Sequence, residues 1–173
     1  MKKIGHGKVN IYLASFIGIA IAVLCFLLTF RGSNIVRPSW VRGVYYFIFF
    51  LYVISLIFIH EFIHIIAASF FMSIRDISLR FKILVWEVRM AKPLKRNHYL
   101  LTSLAPGVVL SLVGVILLLT FSSVSVKYFS AFLFIIGFSS ATGDAMLVLK
   151  ALKFPKECYI LDKGAEFDVL EER

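Results

Sequence analysis

Residues 60–64 read His-Glu-Phe-Ile-His inside a long apolar block. They are the one place where metal-ligating side chains stand at a spacing that chemistry could use. On a helix, His60 and His64 lie four residues apart, so both imidazoles project from one face, one turn apart. That arrangement suits two ligands of one tetrahedral zinc ion. Glu61 points about 60° around the helix from His64, so its carboxylate could reach a metal-bound water without ligating the metal. The metal would lower the pKa of that water, and Glu61 would take its proton as general base. Ionisable groups inside an apolar span are costly, which favours a functional reading. The bland alternative is a polar cluster that joins helices through hydrogen bonds.

A catalytic zinc normally takes three protein ligands and leaves the fourth position open. The other carboxylate inside an apolar block is Asp144, within Ser139-Ser140-Ala141-Thr142-Gly143-Asp144. The small residues around it would let two helices approach closely enough to share a metal. The alternatives for Asp144 are a pair with Lys150 or a capping role. Glu87 is a second candidate for third ligand, although its place in a strand-like segment favours a partner near Arg89. Ser139, Ser140 and Thr142 could hold substrate, but serines in apolar helices more often bond their own backbone.

The elements that must position these groups follow from composition. Of 173 residues, 60% are hydrophobic and 17% charged, and 18 are phenylalanine. The mean hydropathy is +0.90. A soluble domain has about a quarter charged residues, so the composition points to an integral membrane protein. Four apolar spans are expected, at about 11–30, 44–72, 100–121 and 128–149, each long enough for a core about 30 Å thick. The first exceeds a signal-peptide core and has no small-residue cleavage site before Arg31, so a retained helix is expected.

Arg42 to the middle of the histidine motif is about 20 residues, or roughly 30 Å of helix. Lys127 to Asp144 is 17 residues, or roughly 25 Å. The two groups therefore fall within about one turn of each other in depth, in the cytosolic half.

Charge gives the orientation. With a cytosolic N-terminus, fifteen of the 19 Lys and Arg residues lie inside, and only Arg31, Arg37, Arg42 and Lys127 lie outside. That bias places both termini in the cytosol. It also accounts for the net charge of +9 without a nucleic-acid partner. Trp40, Trp86, Tyr45, Tyr46, Tyr99 and Tyr128 near span ends read as interfacial anchors. His98 reads as interfacial and His6 as part of a mobile N-terminus. Cys25 and Cys158 form no disulfide framework.

The loop 73–99 alternates from Ile77 as Ile-Ser-Leu-Arg-Phe-Lys-Ile, the period of a half-buried strand, and a second strand is expected around Trp86–Arg89. In the tail 150–173, Tyr159–Leu161 and Phe167–Leu170 flank Asp-Lys-Gly, a hairpin turn. The expected fold is thus all-α and polytopic: one membrane domain over 1–173, with four transmembrane helices and a small cytosolic β-hairpin element.

The transmembrane His-Glu-x-x-His helix, the following β-like segment, the Ala-Pro-Gly at 105–107 read as a helix start, and an aspartate on a later helix resemble the site-2 protease class. More closely, Gly143-Asp144 and the short 155–169 tail resemble the small bacterial "putative zincin peptidase" family. The resemblance covers about 44–169, and its one sharp motif is His-Glu-x-x-His. It implies that His60, His64 and Asp144 ligate zinc, that Glu61 is the catalytic base, and that the location is a bacterial plasma membrane. Span four departs from the better-studied class, which carries an Asn/Pro-rich stretch before Leu-Asp-Gly. Here the segment reads Thr-Gly-Asp-Ala.

Together these features suggest an intramembrane zinc metallopeptidase acting on a membrane-anchored or membrane-proximal protein within the lipid bilayer. An unwound substrate segment could add a strand to the edge at 77–83. The rivals are a non-proteolytic protein that binds or moves a divalent metal, and a degenerate protease-like scaffold.

Overall fold

A computed structural model of the chain describes residues 1–10, 13, 14, 16–18, 20, 39–82 and 85–172. In chain order the elements are β1 (Lys2–Lys8), α1 (Ser39–Ser69), a 3-10 turn (Ile74–Asp76), β2 (Ile77–Lys82), β3 (Val85–Met90) and β4 (Leu94–Lys95). Then follow α2 (Arg96–Thr120), α3 (Val124–Ser140), α4 (Thr142–Ala151), β5 (Tyr159–Asp162) and β6 (Glu166–Glu171).

The expectation of an all-α, four-span protein is overturned. Six strands form two sheets beside the helices, one with the order β1-β6-β5-β4 and one pairing β2 with β3. Among the described residues, two helical stretches are long and apolar enough to cross a membrane, Arg96–Thr120 and Phe129–Ala151. They suggest membrane association. The helix α1 runs over 31 residues, Ser39–Ser69, and its part Ile54–Ser69 is apolar. The expected span at 11–30 lies largely outside the described residues.

The N-terminus, read as mobile, joins the expected tail hairpin and the short β4 to build the larger sheet. The N-terminus is β1, antiparallel to β6 with His6 opposite Asp168, although 162 residues separate them. Asp168 sits at the join, 2.7 Å from Lys163 Nζ, 2.5 Å from Lys3 Nζ and 3.0 Å from His6 Nδ1. Period-2 apolar alternation could not reveal β1, because its cross-strand attraction is largely charge. The neighbouring hairpin was legible. Gly164 takes φ 89 in its turn, and its N–H donates to Asp162 Oδ1 at 2.8 Å.

The bonds from Lys163 and Lys3 hold the Asp168 carboxyl below its ordinary range, against burial, with His6 adding to them. A carboxyl depressed in this way contributes stability above the unfolded value of 3.8, lost as pH falls below it. Lys3 and Lys163 are half exposed, so the contribution is on the order of 1 kcal/mol. Thermal unfolding between pH 7 and pH 3 is expected to show a steeper acid loss in the wild type than in Asp168→Asn. Equal slopes would remove Asp168 as the acid-sensitive group.

The larger sheet covers one end of the helices. Tyr99, Ile160, Phe167 and Val169 are fully buried, with Ala68 from α1 and Leu147 and Ala151 from α4 in the same core. Above it, α2 and α3 form an antiparallel hairpin that packs closely through small residues. A Cβ on Gly107 would meet Ala141 Cβ at 2.5 Å, and one on Gly114 would meet Phe134 N at 2.7 Å.

Two helix boundaries differ from expectation. The α2 helix starts at Arg96, so Pro106 lies inside it and not at its start. The fourth apolar block is two helices, broken at Ala141. At the break, Ser140 donates its hydroxyl proton to Gly137 O, whose bond from Ala141 N is stretched to 3.4 Å. A side-chain hydroxyl competing for a helix carbonyl locally loosens the ladder. Asp144 therefore sits in the first turn of α4, where the helix end favours an anion.

Candidate metal centre

The four site residues expected from the sequence come from two elements. His60, Glu61 and His64 sit on α1, and Asp144 sits on α4. Asp144 Oδ2 lies 3.1 Å from His60 Nε2 and 3.3 Å from His64 Nε2. One ligand atom from each of the three residues falls within 4.8 Å of the others, a group that could hold a metal ion. Both histidines are buried, and their rings meet edge-on with centroids 4.9 Å apart.

The outer nitrogens decide what this cluster accepts. His64 Nδ1 lies 3.0 Å from the backbone carbonyl of Thr102, which can only accept, so Nδ1 carries the proton. His60 Nδ1 lies 3.0 Å from Ser140 Oγ. That hydroxyl gives its one proton to Gly137 O, so His60 Nδ1 is also the donor. With neutral imidazoles, both Nε2 atoms then present lone pairs toward a carboxylate oxygen. Three electron-rich atoms converging in a buried site would be stabilised by a cation between them. Two histidines and one carboxylate, each histidine oriented by a bond from its second nitrogen, are a donor set that suits zinc.

Glu61 is partly buried beside this group, close enough to His64, His60 and Asp144 for their charges to act on it. Its carboxyl accepts a hydrogen bond from the Val88 backbone N–H. The β2–β3 hairpin makes this contact by lying along α1, with Trp86 tilted against both Phe58 and Phe81 at centroid distances of 5.5 and 5.0 Å. Trp86 thus joins hairpin to helix.

Other candidates separate from the cluster. Glu87 is buried on β3 and paired with Arg89 at 3.0 Å. Ser139 bonds its own helix at Ile135 O. Ser140 does so too, but also orients His60, a role that depends on the helix break and left no local signal. His98 stacks on Phe71 with ring centroids 4.2 Å apart.

The sequence reading missed Thr102, which acts through its carbonyl, and it took Asp162 only for a turn residue. Asp162 also faces the centre. Burial pushes its carboxyl up to about 7, against the Gly164 N–H and His64, with the Asp144 and Glu87 charges adding to the rise.

Comparisons with known proteins place this segment in a family. A family model described as "putative zincin peptidase" matches residues 53–159, a segment holding His60, Glu61, His64 and Asp144. No curated protein matches the chain. No solved structure matches it. Zincin peptidases use zinc to hydrolyse peptide bonds, and the clustered His60, His64 and Asp144 could bind that metal. Since the match spans well over half of the sequence, the chain belongs to the "putative zincin peptidase" family.

Proposed function

We propose that the protein is an intramembrane zinc metallopeptidase of site-2-protease type, hydrolysing peptide bonds of membrane-anchored or membrane-proximal proteins. The observation that carries this reading is the convergence of two histidine Nε2 lone pairs and one carboxylate oxygen beside a carboxyl that is not part of the cluster. In this reading His60 Nε2, His64 Nε2 and Asp144 Oδ2 hold the zinc. When bound, zinc polarises a scissile carbonyl and acidifies water. Glu61 accepts a proton from the attacking water and returns it to the leaving amine. The Val88 N–H lies beside this carboxyl.

The membrane setting is supported by the outward faces of the helices. Leu101, Val108, Leu112, Ile116 and Leu119 of α2 and Phe62 of α1 are exposed, an apolar surface that a bilayer would cover. The pairing of β1 with β6 supports one side for both termini, the lysine and arginine bias favours the cytosol for that side, and the likeness to a small bacterial family favours a bacterial plasma membrane. A substrate helix must unwind to offer its bond. The outer edge of β2, with Leu79 and Phe81 exposed, would take the extended segment as an added strand.

The test is reconstitution of the full chain in lipid vesicles with a membrane-anchored reporter peptide. Cleavage is expected, to be lost when zinc is stripped by a chelator and regained when zinc is returned. Zinc-loaded protein that cleaves no anchored reporter would overturn the peptidase reading.

A further inference from the structure

The carbonyl that orients His64 is available because of a proline one turn further along a different helix. In α2 the carbonyl of Thr102 would ordinarily accept from the N–H of residue 106. Residue 106 is Pro106, inside the helix and fully buried. Proline has no N–H, and its ring crowds the carbonyl four residues back, so that carbonyl loses its helical donor. Thr102 is itself 1% exposed, which leaves water a poor substitute, and an unpaired buried carbonyl would be costly. The donor it has is His64 Nδ1, at 3.0 Å. Within an apolar bundle, groups freed by a helix-interior proline are re-satisfied by neighbouring helices. Here the neighbouring group is an imidazole whose other nitrogen faces Asp144.

We infer that Pro106 is a positioning residue for the metal centre: by withholding an N–H from Thr102, it reserves that carbonyl for His64 Nδ1 and so fixes His64 Nε2 toward Asp144. The inference rests on His60, His64 and Asp144 being the zinc ligands. The adjacent Gly107 works in the same direction. It lets Ala141, at the helix break between Ser140 and Asp144, approach α2 to within the space of one Cβ. The Ala-Pro-Gly triplet thus serves both histidine-bearing and aspartate-bearing sides of the centre from inside α2.

The experiment is zinc affinity of the full chain in detergent, measured by competition with a chromophoric chelator. The comparison covers wild type, Pro106→Ala, and a variant carrying an ester-linked alanine analogue at 106. Alanine restores the N–H that competes for Thr102 O. The ester analogue has the same side chain and no N–H. Loss of a bond to a ligating histidine's second nitrogen costs about 10–100-fold in metal affinity. Pro106→Ala is expected to weaken zinc binding by that factor with helix content retained, and the ester variant to recover most of it.

Equal affinity in wild type and Pro106→Ala would overturn the inference while leaving the zinc site standing. Equal weakening in the alanine and ester variants would also overturn it, since the ring and not the missing donor would then be responsible. A wild type that takes up no zinc would remove the ligand assignment and the inference with it.

Discussion

Asp144→Ala is expected to empty the metal centre. Wild-type protein purified in detergent and supplied with zinc should carry about one zinc per chain by elemental analysis, and the variant close to none after desalting. The loss should exceed the roughly 10–100-fold that an outer-shell change costs. Among the described residues, Asp144 supplies the only negative charge within hydrogen-bond distance of both Nε2 atoms. Without it, a divalent ion would sit buried against two neutral imidazoles, and an unpaired buried charge is strongly disfavoured. Full zinc retention in the variant would transfer the third position to another group. Glu87 is poorly placed for it, being held by Arg89.

Glu61→Gln separates a peptidase from a protein that only binds or moves metal. The amide keeps the size of the side chain and an oxygen that can still accept from the Val88 N–H, so zinc content should be unchanged. Turnover of an anchored reporter should fall by about 10²–10⁴-fold, the usual contribution of a general base. That is roughly 3–5 kcal/mol of transition-state stabilisation. Zinc flux across vesicles unaccompanied by cleavage, with little response to Glu61→Gln, would instead favour the metal-moving rival. Read together, the two variants assign separate duties: Asp144 governs whether metal is held, and Glu61 governs what the held metal does.

Elements with short-range logic were readable directly. His60, Glu61 and His64 share a helix, and a helix has one period, so their relative directions follow from spacing alone. The strands at 77–82 and 85–90 announced themselves by alternation. The turn before β6 was visible because Asp162 and Gly164 meet its local demands, one as acceptor and one through its positive φ.

Elements whose partners lie far along the chain were not readable. The strand β1 has no apolar alternation, and its reason for being a strand is Asp168. Reading the N-terminus as a mobile tail, and the expected hairpins as a small addition to the helices, therefore turned a mixed helix-and-sheet arrangement into an all-helical one. The break at Ala141 was hidden for a similar reason. No proline or charge marks it, and it rests on Ser140, Gly137 and the close approach of Gly107.

The sequence by itself determined the chemistry on offer: a histidine pair at one-turn spacing, a glutamate beside it, and an aspartate in a later apolar block. Only the tertiary structure decided that these groups form a centre. Metal binding needs lone pairs aimed at one point, and aim depends on what occupies the opposite nitrogen of each imidazole. Those occupants are Ser140 Oγ, 80 residues from His60, and the Thr102 carbonyl, 38 residues from His64. No local pattern encodes such pairings, because their strength comes from burial that exists only once α1, α2 and the α3–α4 break have packed together.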